Sequence, residues 1–81
     1  MFMFKKPQKY RFSINSSQNL SISEIDKYFS FYNSKKISQN QYEVIDTSTN
    51  IGVLKLILEE KSVDLELSWK KGWKALFLFK L

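Results

Sequence analysis

The chain has 81 residues, a formal net charge of +5, and neither cysteine nor histidine. This length corresponds to a single domain with a small core, because a chain of this size buries only about 60–65% of its unfolded surface. The missing residue types exclude a disulfide framework, thiolate or imidazole metal sites and a serine–histidine catalytic triad. Glu43, Asp64 and Glu66 could together bind a hard cation, but they are better explained as a solvated sheet face that pairs with Lys55. We therefore expect a protein that is not an enzyme and that holds no metal or cofactor.

The first predicted elements are a strand and a helix. From Gln8 to Asn15, aromatic and aliphatic residues alternate with polar ones, a period typical of a strand with one buried face. The helix begins after Ser21, since Ser21 and Glu24 have the spacing of a capping box. We expect this helix to end near Asn33 and a polar loop to occupy residues 34–40.

Four further strands are predicted to form an antiparallel meander. They cover residues 41–47, 53–58, 63–69 and the segment after the loop Lys70-Lys71-Gly72. The register pairs Leu67 with both Leu54 and Ala75, pairs Trp69 with Trp73, and sets Lys55 opposite Glu66 on the outer face. The residues expected to share one core are Ile25, Phe29, Leu54, Leu56, Leu65, Leu67, Trp69 and Phe77.

These elements predict an α+β fold: a single domain over residues 1–81, with residues 1–7 as an N-terminal extension. The order is β-α-β-β-β-β, with one helix on a twisted antiparallel sheet of four to five strands. The order resembles the cystatin-like arrangement, in which a helix is gripped by a four-strand meander. Thr47-Ser48-Thr49-Asn50 stands where that family has its glutamine-valine-glycine hairpin, so no function is carried over.

No apolar run is long enough to span a membrane, because the longest uninterrupted one is Ala75 to Phe79. The opening Met1-Phe2-Met3-Phe4 is too short for the core of a signal peptide. We expect a soluble protein of a cytoplasm or organelle interior.

Nucleic-acid binding is one functional hypothesis, because residues 1–11 and 70–81 each carry four cations and no acid. Aromatic residues interleave with the cations, as in single-stranded nucleic-acid binders. Strand alternation, however, turns these aromatics toward the core, and a single arginine disfavours base-edge readout. The alternative function is therefore contact with RNA or DNA phosphates, with these candidate residues: Lys9, Arg11, Lys70, Lys71 and Lys74.

Protein docking is the preferred hypothesis, because the outer face of the last strand reads Lys74, Leu76, Leu78, Lys80. Two leucines inside a charged rim are typical of a contact surface. Alternatively, residues 1–4 fold over the two leucines. We predict a small basic interaction module that docks on a larger protein, on a multi-subunit assembly or on itself.

Overall fold

A computed structural model describes residues 6–69 and the backbone of a short strand at 74–75. This part of the chain forms an α+β domain with two helices and one antiparallel sheet. In chain order the elements are β1 (Gln8–Ser17), α1 (Ile22–Ser30), β2 (Ser34–Ser38), β3 (Gln41–Asp46), α2 (Ser48–Glu60), β4 (Val63–Trp69) and β5 (Lys74–Ala75).

The strand order across the sheet is β2-β3-β1-β4-β5, and every neighbouring pair is antiparallel. Two β-α-β units, β1-α1-β2 and β3-α2-β4, are interleaved so that a strand of one unit separates the strands of the other. This is the split β-α-β, or ferredoxin-like, topology. The expected cystatin-like meander is wrong, because β1 lies at the centre of the sheet and a second helix interrupts the run of strands.

Strand β1 organises the sheet because it is the middle strand of five and pairs with β3 over residues 8–13 and with β4 over residues 10–17. Phe12 lies opposite Tyr42 of β3 on one side and Leu67 of β4 on the other. Tyr10, Phe12 and Ile14 alternate with polar residues and are buried, as the sequence predicts.

Helix α1 confirms the capping box. The Ser21 N–H donates to Glu24 Oε1 at 2.8 Å, and the Glu24 N–H donates to Ser21 Oγ at 3.2 Å. Its buried residues are Ile25 and Phe29. The Phe29 ring meets Phe12 edge-on at 5.1 Å between centroids and stacks on Tyr42 at 3.9 Å, so aromatic contacts fasten α1 to the two central strands. The helix ends at Ser30, somewhat before Asn33.

Helix α2 replaces the hairpin predicted at residues 48–50 and the strand predicted at 53–58. Its N-cap is Thr47, whose hydroxyl accepts the Asn50 N–H at 3.3 Å. Leucines at 54 and 58 fit both a strand and a helix, but the helix also brings Ile51 to the same buried face. Leu56, which the strand would bury, is 53% exposed.

The helical conformation also overturns the predicted partner of Lys55. Lys55 is almost fully buried, and its Nζ donates to Glu59 Oε2 one turn along α2, at 2.7 Å. Glu66 instead faces Ser13 of β1 in the sheet register. An i,i+4 pair forms within the helix because such residues are neighbours on its surface.

Strand β2 occupies most of the predicted loop at residues 34–40. It pairs with β3, with Lys35 opposite Glu43 and Lys36 opposite Tyr42. Its sequence, Ser-Lys-Lys-Ile-Ser, lacks an alternating apolar face because β2 lies at the edge of the sheet. Lysines at such an edge discourage pairing with other chains.

The register of β5 differs by one residue from the prediction. Ala75 pairs with Ser68, not Leu67, and Trp69 pairs with Lys74, not Trp73. Four residues rather than three therefore connect the paired positions. The predicted register is therefore wrong at residues 74 and 75. Leu76 and Leu78, whose outward orientation was deduced from that register, lie outside the described residues.

Most of the expected core is confirmed. Ile25, Phe29, Leu54, Leu65 and Leu67 are buried in one cluster, and Trp69 is partly buried against it. Leu56 is exposed, and Phe77 lies outside the described residues. The cluster also contains further side chains from β1, β3, β4 and α2: Tyr10, Phe12, Ile14, Tyr42, Val44, Ile51, Leu58 and Val63.

Alanine substitutions at two leucines of α2 distinguish the observed helix from the strand that was predicted for the same residues. We expect Leu54→Ala to lower the free energy of unfolding by about 2–5 kcal/mol, because the side chain is fully buried. Leu56→Ala should cost less than about 1 kcal/mol, since its side chain faces solvent. Urea unfolding of both variants measures the difference, and similar large losses would support a strand with both leucines inside.

Candidate interaction surfaces

The face of the sheet opposite the helices carries a small basic cluster. The Arg11 guanidinium donates to Glu43 Oε2 at 3.0 Å, and Lys9 Nζ lies 3.9 Å from Glu43 Oε1. The hydrogen bond from Arg11 and the nearby charges of Lys9 and Lys35 lower the pKa of Glu43. Three cations thus surround one carboxylate, and the cluster keeps a positive charge.

The aromatic side chains of this sheet point away from the basic cluster. Tyr10 and Phe12, which flank Arg11 in sequence, are buried on the helix-covered face. On the outward face β1 presents Lys9, Arg11 and Ser13, so the central strand offers cations without an aromatic surface for stacking bases. The prediction that strand alternation turns Tyr10 and Phe12 inward is confirmed.

The other sequence-predicted site residues are not placed. Lys74 lies in β5, where only its backbone is described, while Lys70 and Lys71 fall outside the described residues, as do Leu76, Leu78 and Lys80. Of the predicted nucleic-acid candidates, the structure therefore brings together Lys9 and Arg11. It adds Lys35, which sequence analysis had assigned to a loop.

A polar contact joins α1 to β3 beside the aromatic stack. The Tyr42 hydroxyl donates to Asp26, and Lys36 Nζ lies 3.1 Å from the same Asp26 oxygen. The hydrogen bond from Tyr42 is the main cause of the lowered pKa of Asp26, while burial and the bond to Asp26 raise the pKa of Tyr42. This contact positions the helix and contains no unused acid or base.

An open cavity of about 570 Å³ lies between the end of β1 and the start of α1. Serine, asparagine and isoleucine side chains provide much of its lining, and Tyr42 is the one ionisable side chain among the described residues there. The Tyr42 phenol is already bound to Asp26. The described lining of the cavity therefore offers no group suited to acid–base or nucleophilic chemistry.

The outer side of α1 presents an exposed aromatic residue beside a shallow groove. Phe31, the C-cap of α1, is 82% exposed. The groove, about 330 Å³ in volume, is lined by Leu20, Tyr28 and Phe31 together with Glu24 and Lys27. The signal for Phe31 in the sequence is its position off the apolar stripe that contains Ile25 and Phe29.

The outer side of α2 carries a second apolar surface. Val53 is 46% exposed and Leu56 is 53% exposed, on the side of the helix opposite the buried Ile51, Leu54 and Leu58. Sequence analysis missed this surface because it assigned these residues to a strand. The signal that would have found it is the spacing of Ile51, Leu54 and Leu58, which is helical.

No family model, curated protein or solved structure matches the chain. Its class is therefore defined by the fold and the surfaces. It is a small split β-α-β domain with a local cluster of three cations around Glu43 on the open sheet face, where Asp64 and Glu66 of β4 are also exposed, and with apolar residues on the outer sides of both helices. Within residues 6–69 and 74–75, no group of three acidic side chains is arranged to hold a metal ion. No helix of that same part is long and apolar enough to cross a membrane.

The contact between Asp26 and Tyr42 predicts a pH dependence. Folding lowers the pKa of the Asp26 carboxyl. The ionised carboxylate therefore stabilises the fold at any pH above the ordinary aspartate pKa, and this stabilisation is lost as the pH falls through the pKa that Asp26 has in the folded protein. Asp26→Asn should lower the free energy of unfolding by about 1 kcal/mol at pH 7. The difference from the unsubstituted protein should shrink below about pH 4.

Urea titrations at pH 7 and pH 3 measure this difference. Asp64→Asn, which removes an exposed carboxylate of β4, is the matched control and should change stability by less than about 0.5 kcal/mol at either pH. A cost of Asp26→Asn that is the same at both pH values would show that the charge of Asp26 contributes nothing.

Proposed function

We propose that this protein is a non-enzymatic interaction module that docks on a larger protein partner or assembly. The observation that carries the proposal is the exposure of Phe31. Aromatic side chains are enriched at the centres of protein interfaces, where they fill pockets of the partner. An almost fully exposed phenylalanine on an ordered helix end is the feature of the described residues that best fits such an anchor.

The end of α1 holds Phe31 in a fixed position. The Phe31 N–H is bonded to the carbonyl of Tyr28, and the following Tyr32 N–H is bonded to the carbonyl of Phe29 at 3.0 Å. Because the backbone is already ordered, docking loses little backbone entropy, and the entropy cost at this residue is that of fixing the ring. Burial of the ring contributes about 1.5–3 kcal/mol before the costs of association.

The surroundings of Phe31 indicate the chemistry of the partner. Leu20 and Tyr28 extend the apolar contact along the groove, and Glu24 and Lys27 offer opposite charges at its rim. The net charge of +5 favours association with an acidic surface. The expected partner is therefore a protein with a hydrophobic pocket whose edge carries charges of both signs, on a surface that is acidic overall.

Contact with RNA or DNA phosphates is the second candidate. The basic cluster of Lys9, Arg11 and Lys35 supports it, since cations on an open sheet face suit a phosphate backbone. Glu43 opposes it by neutralising part of that charge at 3.0 Å from Arg11. The inward aromatics limit binding to the phosphates, because bases have no ring to stack on at β1.

Phe31→Ala tests the docking proposal. The immobilised protein should retain a partner from lysate of the source organism. The substitution should weaken the affinity for that partner roughly 30-fold, which corresponds to about 2 kcal/mol. Leu56→Ala is the matched control, because it removes a comparable exposed side chain from the other helix. Quantitative mass spectrometry of the retained proteins compares the three samples.

Nuclease and salt separate the two candidate functions. Apolar docking should survive nuclease treatment and a rise in salt from about 50 to 200 mM, whereas phosphate-driven binding should fall by orders of magnitude. Retention that depends on nucleic acid and is unchanged by Phe31→Ala would reject docking in favour of the alternative. Absence of any protein whose retention depends on Phe31 would contradict the proposal as well.

A further inference from the structure

The outer side of α2 has the geometry of a helix–helix seam. Thr49, Val53, Leu56 and Glu60 are all exposed and follow one another at spacings of four, three and four residues. This is the spacing with which one helix meets another along a narrow stripe. We refer to these four residues as the α2 seam.

The α2 seam lies opposite the core-facing side of the helix. Residues 51, 54 and 58 are fully buried against the sheet, whereas Val53 and Leu56 are about half exposed. A surface helix normally places polar residues on its outer side, and a helix that is apolar on both sides is usually covered. The two apolar residues at the centre of the seam therefore indicate a second contact for α2.

The order of the seam residues indicates what makes that contact. The intervals of four, three and four residues read the same in both directions, so an antiparallel copy of α2 presents the same stripe to its partner. Such a copy also brings the exposed Glu60 of each chain near the N-terminus of the other helix, where the macrodipole favours an anion. Within one chain, Asp46 already accepts the Thr47 N–H at that end at 2.7 Å, and Lys61 is the C-cap of the other end.

We propose that two copies of this chain associate through the α2 seam, with the two helices antiparallel about a two-fold axis between residues 53 and 56. In this register, Val53 of one copy faces Leu56 of the other, and Glu60 faces Thr49, whose hydroxyl can donate to a carboxylate. The same residues occupy both sides of the interface, as two-fold symmetry requires. Glu59 takes no part, because it is bonded to Lys55 of its own helix.

The size of the seam sets the strength of the dimer. A helix of 13 residues is about 20 Å long, so the paired helices bury an area at the low end for specific interfaces. We expect a reversible dimer with a dissociation constant on the order of tens of micromolar. The surface is separate from Phe31, so this association is independent of the proposed docking function.

Two complementary substitutions test the dimer and its register. Val53→Glu alone and Leu56→Lys alone should each weaken self-association about tenfold or more, since each places an unpaired charge against an apolar side chain twice per dimer. An equimolar mixture of the two variants should associate again. In the mixed dimer, the carboxylate introduced at position 53 of one chain faces the ammonium group introduced at position 56 of the other. The second pair, Leu56 of the first chain and Val53 of the second, is unchanged. Sedimentation velocity across a concentration series measures all three samples.

Ile22→Lys is the matched control, because it adds a charge at an apolar residue of α1 that is 52% exposed and lies outside the seam, so it should leave self-association unchanged. Circular dichroism melts show whether each variant is folded. A wild-type chain that stays monomeric up to about 1 mM, far above the expected dissociation constant, would overturn the proposal. A mixture of the two variants that fails to associate would also overturn it. A lower melting temperature of a monomeric seam variant would do the same, because it would show that the seam is packed within one chain.

Discussion

The structure depends on the double pairing of β1. Because β1 is hydrogen-bonded to β3 on one side and to β4 on the other, it lies inside the sheet and not at its edge. Its alternating side chains place Tyr10, Phe12 and Ile14 on one face, where they are buried. Two helices cover that face. The stacking of Phe29 on Tyr42 and its edge contact with Phe12 fix α1 over the central strands, and Ile51, Leu54 and Leu58 of α2 complete the same core.

The candidate surfaces follow from this arrangement. With the aromatic side chains inside, the opposite sheet face is left with the cluster of Lys9, Arg11, Lys35 and Glu43. The helices must then present their outer sides to solvent, where α1 exposes Phe31 and α2 exposes Val53 and Leu56. These exposed apolar side chains lie on ordered helices and add nothing to the core, and the proposed contacts with other molecules rest on them.

The parts of the fold that sequence analysis predicted are those with strong local signals. The alternation of Val63, Leu65 and Leu67 and the capping box of Ser21 and Glu24 each have one structural interpretation. Helix α2 was missed because its leucines at 54, 56 and 58 also satisfy a period of two, and because its ends lack the usual charges. Strand β2 was missed because an edge strand needs no apolar face. The error in α2 also concealed the α2 seam, since a strand buries Leu56 and a helix exposes it.

The most direct test of this account is the pattern of backbone nuclear Overhauser effects in a labelled sample at low concentration. The structure predicts contacts from β1 to both β3 and β4, and sequential amide contacts typical of a helix throughout residues 48–60. Cross-strand contacts between residues 53–58 and 63–67 would contradict it. They would restore the meander, return Leu56 to the core and remove the α2 seam.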